Sequence, residues 1–411
     1  MHEIILLTVS GEDKPGITSV LTQIMAEHGV NILDIGQAVI HELLTLGMLI
    51  EVPPGPGSGP MLKDLLFKAH ELDLKIRFTP VPLDKYAHWV GQQGKERHII
   101  TVLGRKLTAH HLAAVSAIIA RHGLNIDVIT RLSGRIPIEE SARAPYACVE
   151  FSVRGTPADT DGMRAEFLML AHEEEVDIAF QADDVYRRNR RLVAFDMDST
   201  LIQAEVIDEL AAAAGVKDRV SAITEQAMRG EMDFKDSLRR RLGLLRGLEV
   251  RVMEDILRRL PLTDGVERLF QLLKTLGFKT AIISGGFTWF GERLREKLGA
   301  DYVFANELEI VDGKLTGNVV GDIVDGEKKA ALLRQLAARE NIDLRQVIAV
   351  GDGANDLPML RLAGLGIAFR AKPVVKQSAR QALSSVGLDG ILYLIGVRDR
   401  EMMQSVKATE A

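Results

Sequence analysis

The sequence predicts an α/β protein: a doubly wound, Rossmann-like parallel sheet with a helical cap, preceded by two ferredoxin-like βαββαβ units. Three features of the chain carry that prediction. The first is an internal repeat, in which IMAEHGVNILDI around His28 returns as IIARHGLNIDVI around His122, with Thr8-Val9 and Thr101-Val102 ahead of each copy. The second is a set of short, β-branched apolar runs: Leu192–Phe195, Phe278–Ile283 and Gln346–Val350. Each is followed by a Gly- or Asp-rich turn and then helical sequence, the pattern of buried parallel strands. The third is the stretch Glu205–Leu260, helical in periodicity and without a comparable strand, which reads as an insertion after the first of those strands.

Along the chain, the first repeat opens with strand Ile4–Val9, a loop, and a helix in which Ile17, Val20, Leu21, Ile24 and Met25 recur at helical spacing, then a second strand. Gly29, like Gly123 in the second copy, falls just past the helix end, where a positive φ commonly stops a helix. Strand Leu43–Val52, a Pro/Gly turn from Pro53 to Pro60, a helix near Met61–Leu72 and strand Lys75–Val81 complete the βαββαβ plan. The second copy begins at strand His98–Leu103, carries a longer hairpin loop over Arg131–Pro145, and ends near Ala182. The sequence thus places domains at 1–88, 95–183 and 187–400, with the cap at about 204–262.

A chain of 411 residues is too long for one ordinary core, and 46% hydrophobic with 26% charged residues is the balance of a folded, soluble protein. A formal net charge of −6 argues against bulk attraction to nucleic acid or an anionic membrane. No apolar run approaches the roughly 20 residues of a membrane helix. The N-terminal segment lacks the basic region and cleavage site of a secretory signal. The single cysteine, Cys148, excludes disulfide frameworks and cysteine-rich zinc sites, and a reducing cytoplasm fits best. Within its apolar strand Cys148 reads as core. The basic run Arg187–Arg191 reads as a solvated linker, and His28 and His122 as packing or helix-end residues.

The chemistry gathers at strand ends. Leu192–Phe195 runs into Asp196-Met197-Asp198-Ser199-Thr200, Phe278–Ile283 into Ser284-Gly285-Gly286, and Gln346–Val350 into Gly351-Asp352-Gly353-Ala354-Asn355-Asp356. Open α/β sheets bind ligands at the carboxyl ends of their strands. Alone, either the paired carboxylates or Ser-Gly-Gly could be a helix cap and turn. Three strands delivering such groups to one sheet edge are not explained by packing.

DMDSTL, IISGG, the lysines of Glu327-Lys328-Lys329-Ala330 and GDGANDLPM together resemble the motifs of the haloacid dehalogenase superfamily of phosphohydrolases. Over Val193–Ile395, cap sequence EVIDELAAAAGV…AMRGEMDFKDSLRRRLGLL included, the chain is similar to the phosphoserine phosphatases in particular. The two N-terminal repeats resemble tandem ACT domains, small amino-acid sensors. The resemblance implies hydrolysis of O-phospho-L-serine through an aspartyl phosphate, the last step of serine biosynthesis. It makes Asp196 the nucleophile and Asp198 the general acid and base. Ser284 and the Gly285 N–H would bind phosphoryl oxygens near a helix N-terminus. Lys329 would neutralise the remaining charge, with Lys328 as the alternative register. Mg²⁺ would be held by Asp196, the backbone carbonyl of Asp198, and Asp352, a hard cation suiting an all-oxygen site. Asp356 would support the metal's waters or the lysine, direct ligation being the alternative.

In the cap, the resemblance gives Glu205 the substrate ammonium and Arg241 its carboxylate, with Met228 and Phe234 as an apolar wall and Asn355 against phosphate or substrate. Each has a plainer reading (helix-start acid, solvated arginine, core packing, turn former), which the match along the whole cap outweighs. In the ACT-like repeats, Asp13-Lys14-Pro15-Gly16 and His28-Gly29-Val30-Asn31 keep the family's ligand pattern, so Gly16 and Asn31 are expected nearest an effector, L-serine, in a pocket formed by a homodimer. The second copy departs from that pattern at Gly104-Arg105-Lys106-Leu107-Thr108. A dimerisation platform that binds nothing is the plainer alternative. Two rivals remain for the whole chain: a phosphomonoesterase of other specificity, and an amino-acid-sensing regulator with a vestigial phosphatase core. The intact set of nucleophile, acid, lysine and metal ligands argues against the second.

Overall fold

The computed structural model describes residues 3–53, 58–139 and 146–402, with the side chain of Met228 also left out. The turn expected over 53–60 and the loop over 131–145 therefore lie partly outside the described residues. Met1–Lys95 and Glu96–Ala411 form two compact units.

The first unit runs β1 (Glu3–Glu12), helix Ile17–Glu27, β2 (Asn31–Ile40), β3 (Leu43–Val52), helix Gly59–Glu71, β4 (Lys75–Val81) and helix Leu83–Gly91. Its antiparallel sheet has the order β2-β3-β1-β4. Alternation along β3 buries Leu44, Leu46, Met48, Ile50 and Val52 on one face. The first helix buries Ile17, Leu21 and Met25, spaced by four, against that face.

The second unit repeats this plan with β5 (Arg97–Gly104), helix Ala109–Arg121, β6 (Asn125–Arg131), β7 (Ala147–Arg154), helix Thr160–Glu173 and β8 (Asp177–Ala182), ordered β6-β7-β5-β8. Cys148 is buried in β7. His28 and His122 each follow a helix end, with Nε2 3.4 Å from Asp64 and 3.0 Å from Glu166 respectively.

The rest of the second unit is built on β9 (Leu192–Phe195), β10 (Lys279–Phe287), β11 (Tyr302–Val311), β12 (Lys314–Val320), β13 (Val347–Gly351), β14 (Leu365–Phe369) and β15 (Gln381–Leu383). Their sheet order is β12-β11-β10-β9-β13-β14-β15. β9 is flanked in parallel by β10 and β13. Because the chain leaves β9 first to one side and later to the other, a crevice opens at the carboxyl end of β9. Between β9 and β10 lie helices Val206–Ala213, Lys217–Met228, Phe234–Gly243 and Arg251–Arg259, followed by helix Val266–Thr275. No helix among the described residues is long and apolar enough to cross a membrane.

Three details depart from the sequence reading. The large sheet is not purely parallel, because β12 runs antiparallel to β11. Asp312 (φ 50°) and Gly313 (φ 73°) both take positive φ, as a type I′ hairpin requires. Second, β10 extends through Ser284, Gly285 and Gly286 to Phe287, so these residues continue the strand and are not a turn. Third, Arg187–Arg191 is not a solvated linker. Arg187 is 3% exposed and ion-paired with Glu150 of β7, and Arg190 donates to the carbonyls of Arg345 and Gly364.

Candidate active site

Asp196 follows the last residue of β9, and its backbone N–H donates to Val350 O of β13 at 2.9 Å, which fixes it at the crevice. Its Oδ1 accepts from Met197 N–H at 2.8 Å and lies 2.9 Å from Lys329 Nζ. Lys329 is fully buried and also donates to Asp356 Oδ1 at 2.6 Å. It is delivered by helix Gly326–Arg339, whose N-cap Asp325 accepts from Lys328 N–H. Lys328 points elsewhere, with Nζ 3.1 Å from Asp322. The other oxygen of Asp356 accepts from Gly353 N–H at 2.9 Å, so both of its carboxylate oxygens are engaged. One carboxylate oxygen each from Asp196, Asp352 and Asp356 lies within 4.8 Å of the others.

The site's charges do not balance. Three carboxylates crowd one ammonium. Burial first, then Asp196 and Asp356, push the Asp352 carboxyl up to about 8. Burial and Asp196 push Asp356 up to about 6, against the pull of Lys329. Burial works against the charge of Lys329, but Asp196 and Asp356 overcome it and raise its pKa. An all-oxygen cluster with surplus negative charge is a fit for a hard divalent cation.

The Oδ1 of Asp198 accepts from Val206 N–H, at the start of the first cap helix, at 3.3 Å. Burial, then Glu205, then Asp196 hold its carboxyl well above the ordinary range, which suits a group that must carry a proton. From β10, Ser284 is buried and its Oγ accepts from Gly286 N–H at 3.0 Å. The absence of side chains on the two glycines is used. A β-carbon on Gly285 would stand 3.1 Å from Phe234 Cζ and 3.9 Å from Asn355 Nδ2; one on Gly286 would stand 2.6 Å from Asp198 Oδ2. Phe234 of the cap, Asn355 of the β13 loop and Asp198 thus converge on the same strip of β10.

Glu205 caps helix Val206–Ala213 by position, and its Oε1 accepts from Ser199 Oγ at 2.7 Å. Arg241 is half-buried on helix Phe234–Gly243, where burial lowers its pKa against the opposing pull of Asp208, Glu205 and Asp198. Its own hydrogen bonds are long, 3.4 Å to Ser237 O and 3.5 Å to Thr224 Oγ, which leaves the guanidinium available. Met228 ends its cap helix, and its side chain lies outside the described residues. Lys235, next to Phe234, lies 3.0 Å from Asp325 and joins the cap to the helix that carries Lys329.

Three site residues had no role in the sequence reading. Ser199, at φ 57°, orients Glu205. Thr200 donates to Asp352 Oδ1 at 3.3 Å. Asn306 is 2% exposed; it donates to Gly285 O at 2.7 Å and accepts from Val324 N–H at 2.8 Å, pinning β10 to the approach of helix Gly326–Arg339. A lone asparagine inside an otherwise strand-like run was the available signal for it. In the first unit, Gly16 (φ 93°) precedes helix Ile17–Glu27, and Asn31 follows it, donating to Glu51 at 3.0 Å. The helix between them is 11 residues, about 16 Å, long, so these two positions lie beyond its opposite ends.

Residues 3–79 and 96–181 each match an ACT domain family, and residues 193–361 match the haloacid dehalogenase-like hydrolase family. The phosphoserine phosphatase of Streptomyces coelicolor is 42% identical over 398 residues, covering 97% of this chain and 93% of the relative. That of Mycobacterium tuberculosis is 42% identical over 402 residues, covering 97% of this chain and 94% of the relative. The crystal structure of a HAD family hydrolase from Salmonella enterica serovar Typhi matches with a TM-score of 0.62 at 33% identity, over 72% of this chain and 99% of that one. The fold is therefore a Rossmann-type catalytic domain behind two ACT domains.

Proposed function

The chain belongs to the phosphoserine phosphatase family, and on that premise we propose that it hydrolyses O-phospho-L-serine to L-serine and phosphate, the step that ends serine biosynthesis in the cytoplasm. The observation that carries this reading is the fully buried Lys329 held between Asp196 and Asp356. A buried ammonium beside a carboxylate nucleophile removes the main obstacle to attack on a phosphate dianion, which is charge repulsion.

In this mechanism an Asp196 oxygen attacks phosphorus while the bond to the seryl oxygen breaks, and Asp198 gives its proton to that oxygen. Water then attacks the aspartyl phosphate, Asp198 takes the water's proton, and phosphate leaves with Asp196 restored. Lys329, Ser284 Oγ and the Gly285 N–H hold the phosphoryl oxygens throughout. Mg²⁺ bound by Asp196, the Asp198 carbonyl and Asp352 would supply further neutralisation. Glu205 and Arg241 orient the substrate's ammonium and carboxylate, and Phe234 and Met228 exclude water.

Phosphate release from a panel of phosphate monoesters, with and without Mg²⁺, tests this. L-phosphoserine should have the highest kcat/KM, and turnover should require the cation. A higher value for an ester lacking the amino-acid head group would transfer the reading to another phosphomonoesterase.

L-serine acting at the ACT domains as a feedback inhibitor belongs to the same proposal. Because Gly16 and Asn31 lie at opposite ends of one helix, a ligand near both draws on two copies, so the acting form is a homodimer. Gly16→Val forces a β-branched residue into φ 93° and should relieve inhibition by serine while leaving inhibition by phosphate. Unchanged serine inhibition would place the effect at the active site instead.

A further inference from the structure

A cavity of about 580 Å³ lies between the second ACT domain and the far edge of the catalytic sheet. One wall is helix Thr160–Glu173 with β8, and the other is the segment from Pro373 to Ser384 that contains β15. It is separate from the catalytic crevice, since β15 lies three strands, about 14 Å, from β9. The walls are joined firmly. The Gln381 carboxamide accepts from Phe180 N–H at 2.9 Å and donates to Phe180 O at 2.5 Å, imitating a strand partner.

The lining specifies an occupant. Phe167, Val176, Ile178 and Phe180 are all buried and form an apolar floor, while Met169, at the rim, is 60% exposed. A volume within the usual 300–1,000 Å³ range suits a drug-sized molecule. The polar groups lean to one sign. Asp177 spends its oxygens on Ser384 N–H at 2.7 Å and on Ser385 N–H and Oγ at 2.9 and 2.6 Å. Asp161 lies 3.5 Å from Arg164 and is 95% exposed. Against these stand Arg164, Lys376 and Arg380. Arg164 Nε is buried without a hydrogen-bond partner, and its guanidinium lies 5.8 Å from the Phe180 ring centroid. The side chains of Lys376 and Arg380 make no hydrogen bond or ion pair among the described residues, although the Lys376 charge reaches the Asp177 carboxylate.

An apolar floor excludes a small, fully hydrophilic guest, and Lys376 and Arg380, without ion pairs of their own beside that floor, favour a negative group on an apolar body. We propose that this cavity is a binding site for a small organic anion of that kind, an aryl or medium-chain carboxylate. The site is independent of the catalytic reading, and its recognition residues come from both sides of the seam between the two domains.

Calorimetry on the full chain with 4-phenylbutyrate, and with 4-phenylbutylamine as its charge-reversed counterpart, tests it. The carboxylate should bind saturably at one site per chain, at least 10-fold tighter than the amine. Lys376→Glu with Arg380→Glu should reverse that preference. Ala165→Trp, at an exposed helix position that lines the cavity, should weaken both ligands by filling it. Three results overturn the proposal: no carboxylate binding, equal affinity for the two ligands, or carboxylate binding that survives these substitutions but is lost in Arg241→Ala. The last would put the anion in the catalytic site.

Discussion

Gly286→Ala adds one carbon to the active site and should remove proton transfer while leaving the nucleophile in place. The added β-carbon would stand 2.6 Å from both Asp198 Oδ2 and Met197 Cε, where ordinary contacts begin at 3.4 Å. Asp198 is a short side chain whose other oxygen is held by Val206 N–H, so it must shift by about 1 Å, a displacement large enough to cost about 100-fold in rate. General acid–base catalysis contributes about 10²–10⁴-fold, which bounds the loss expected on phosphoserine. The overpacking itself should destabilise the fold by about 1–3 kcal/mol. Stopped-flow kinetics with p-nitrophenyl phosphate separate the half-reactions, because nitrophenolate leaves without a proton, whereas hydrolysis of the aspartyl phosphate still needs Asp198 as base. The variant should therefore release one equivalent of nitrophenolate in a fast burst and then turn over slowly. A lost burst, or equal losses of burst and steady-state rates, would mean that the new methyl displaces Ser284 or Asp196, and would refute the placement of Asp198. Unchanged phosphoserine turnover would refute it outright.

Arg241→Ala should lower kcat/KM for phosphoserine by roughly 10- to 150-fold, the worth of a charged hydrogen bond, and lower that for an aryl phosphate much less; equal losses would make Arg241 structural or phosphate-directed. Asp196→Asn preserves shape and should abolish turnover in the purified protein with little change in thermal unfolding. Mg²⁺ at about 100 times its dissociation constant should stabilise the native state by ~2.7 kcal/mol, a rise of roughly 5–10 °C in Tm. Asp352→Asn should keep less than half of that rise without being less stable when the metal is chelated, because it relieves crowding among Asp196, Asp352 and Asp356. An unaltered Mg²⁺ response in the variant would remove Asp352 from the ligand set.

The large sheet was legible where hydrophobicity alone decides. β9 and β13 are central strands buried on both faces, so Leu192–Phe195 and Val347–Gly351 read as unbroken apolar runs. The β11–β12 hairpin was not read, although Asp312-Gly313 marks its turn. The flanking residues Glu307, Leu308, Glu309 and Ile310 alternate in polarity, so they lack the continuous apolar run that marks β9 and β13. Arg187 was misread for a related reason. A basic run is usually solvated, and only the fold supplies the half-buried Glu150 that pairs with it.

The site divides in the same way. Asp196, Ser284 and Asp352 were visible because each closely follows an apolar run, and sheet topology alone brings the carboxyl ends of those runs together. Asn306 was not, because its role comes from a carbonyl it turns and an amide it receives, on elements distant in sequence. Ser199 marks the boundary between these cases. Its neighbours belong to a motif, yet its hold on Glu205 depends on a left-handed backbone that nothing in a serine announces. The two glycines of β10 differ again. Ser-Gly-Gly reads equally well as a cap and a turn, and the structure gives the glycines another purpose: β10 continues through them, and their missing side chains make room for Phe234 and Asp198. A motif identifies the groups that react. The residues that aim those groups are set by close approach, and close approach is a property of the folded chain.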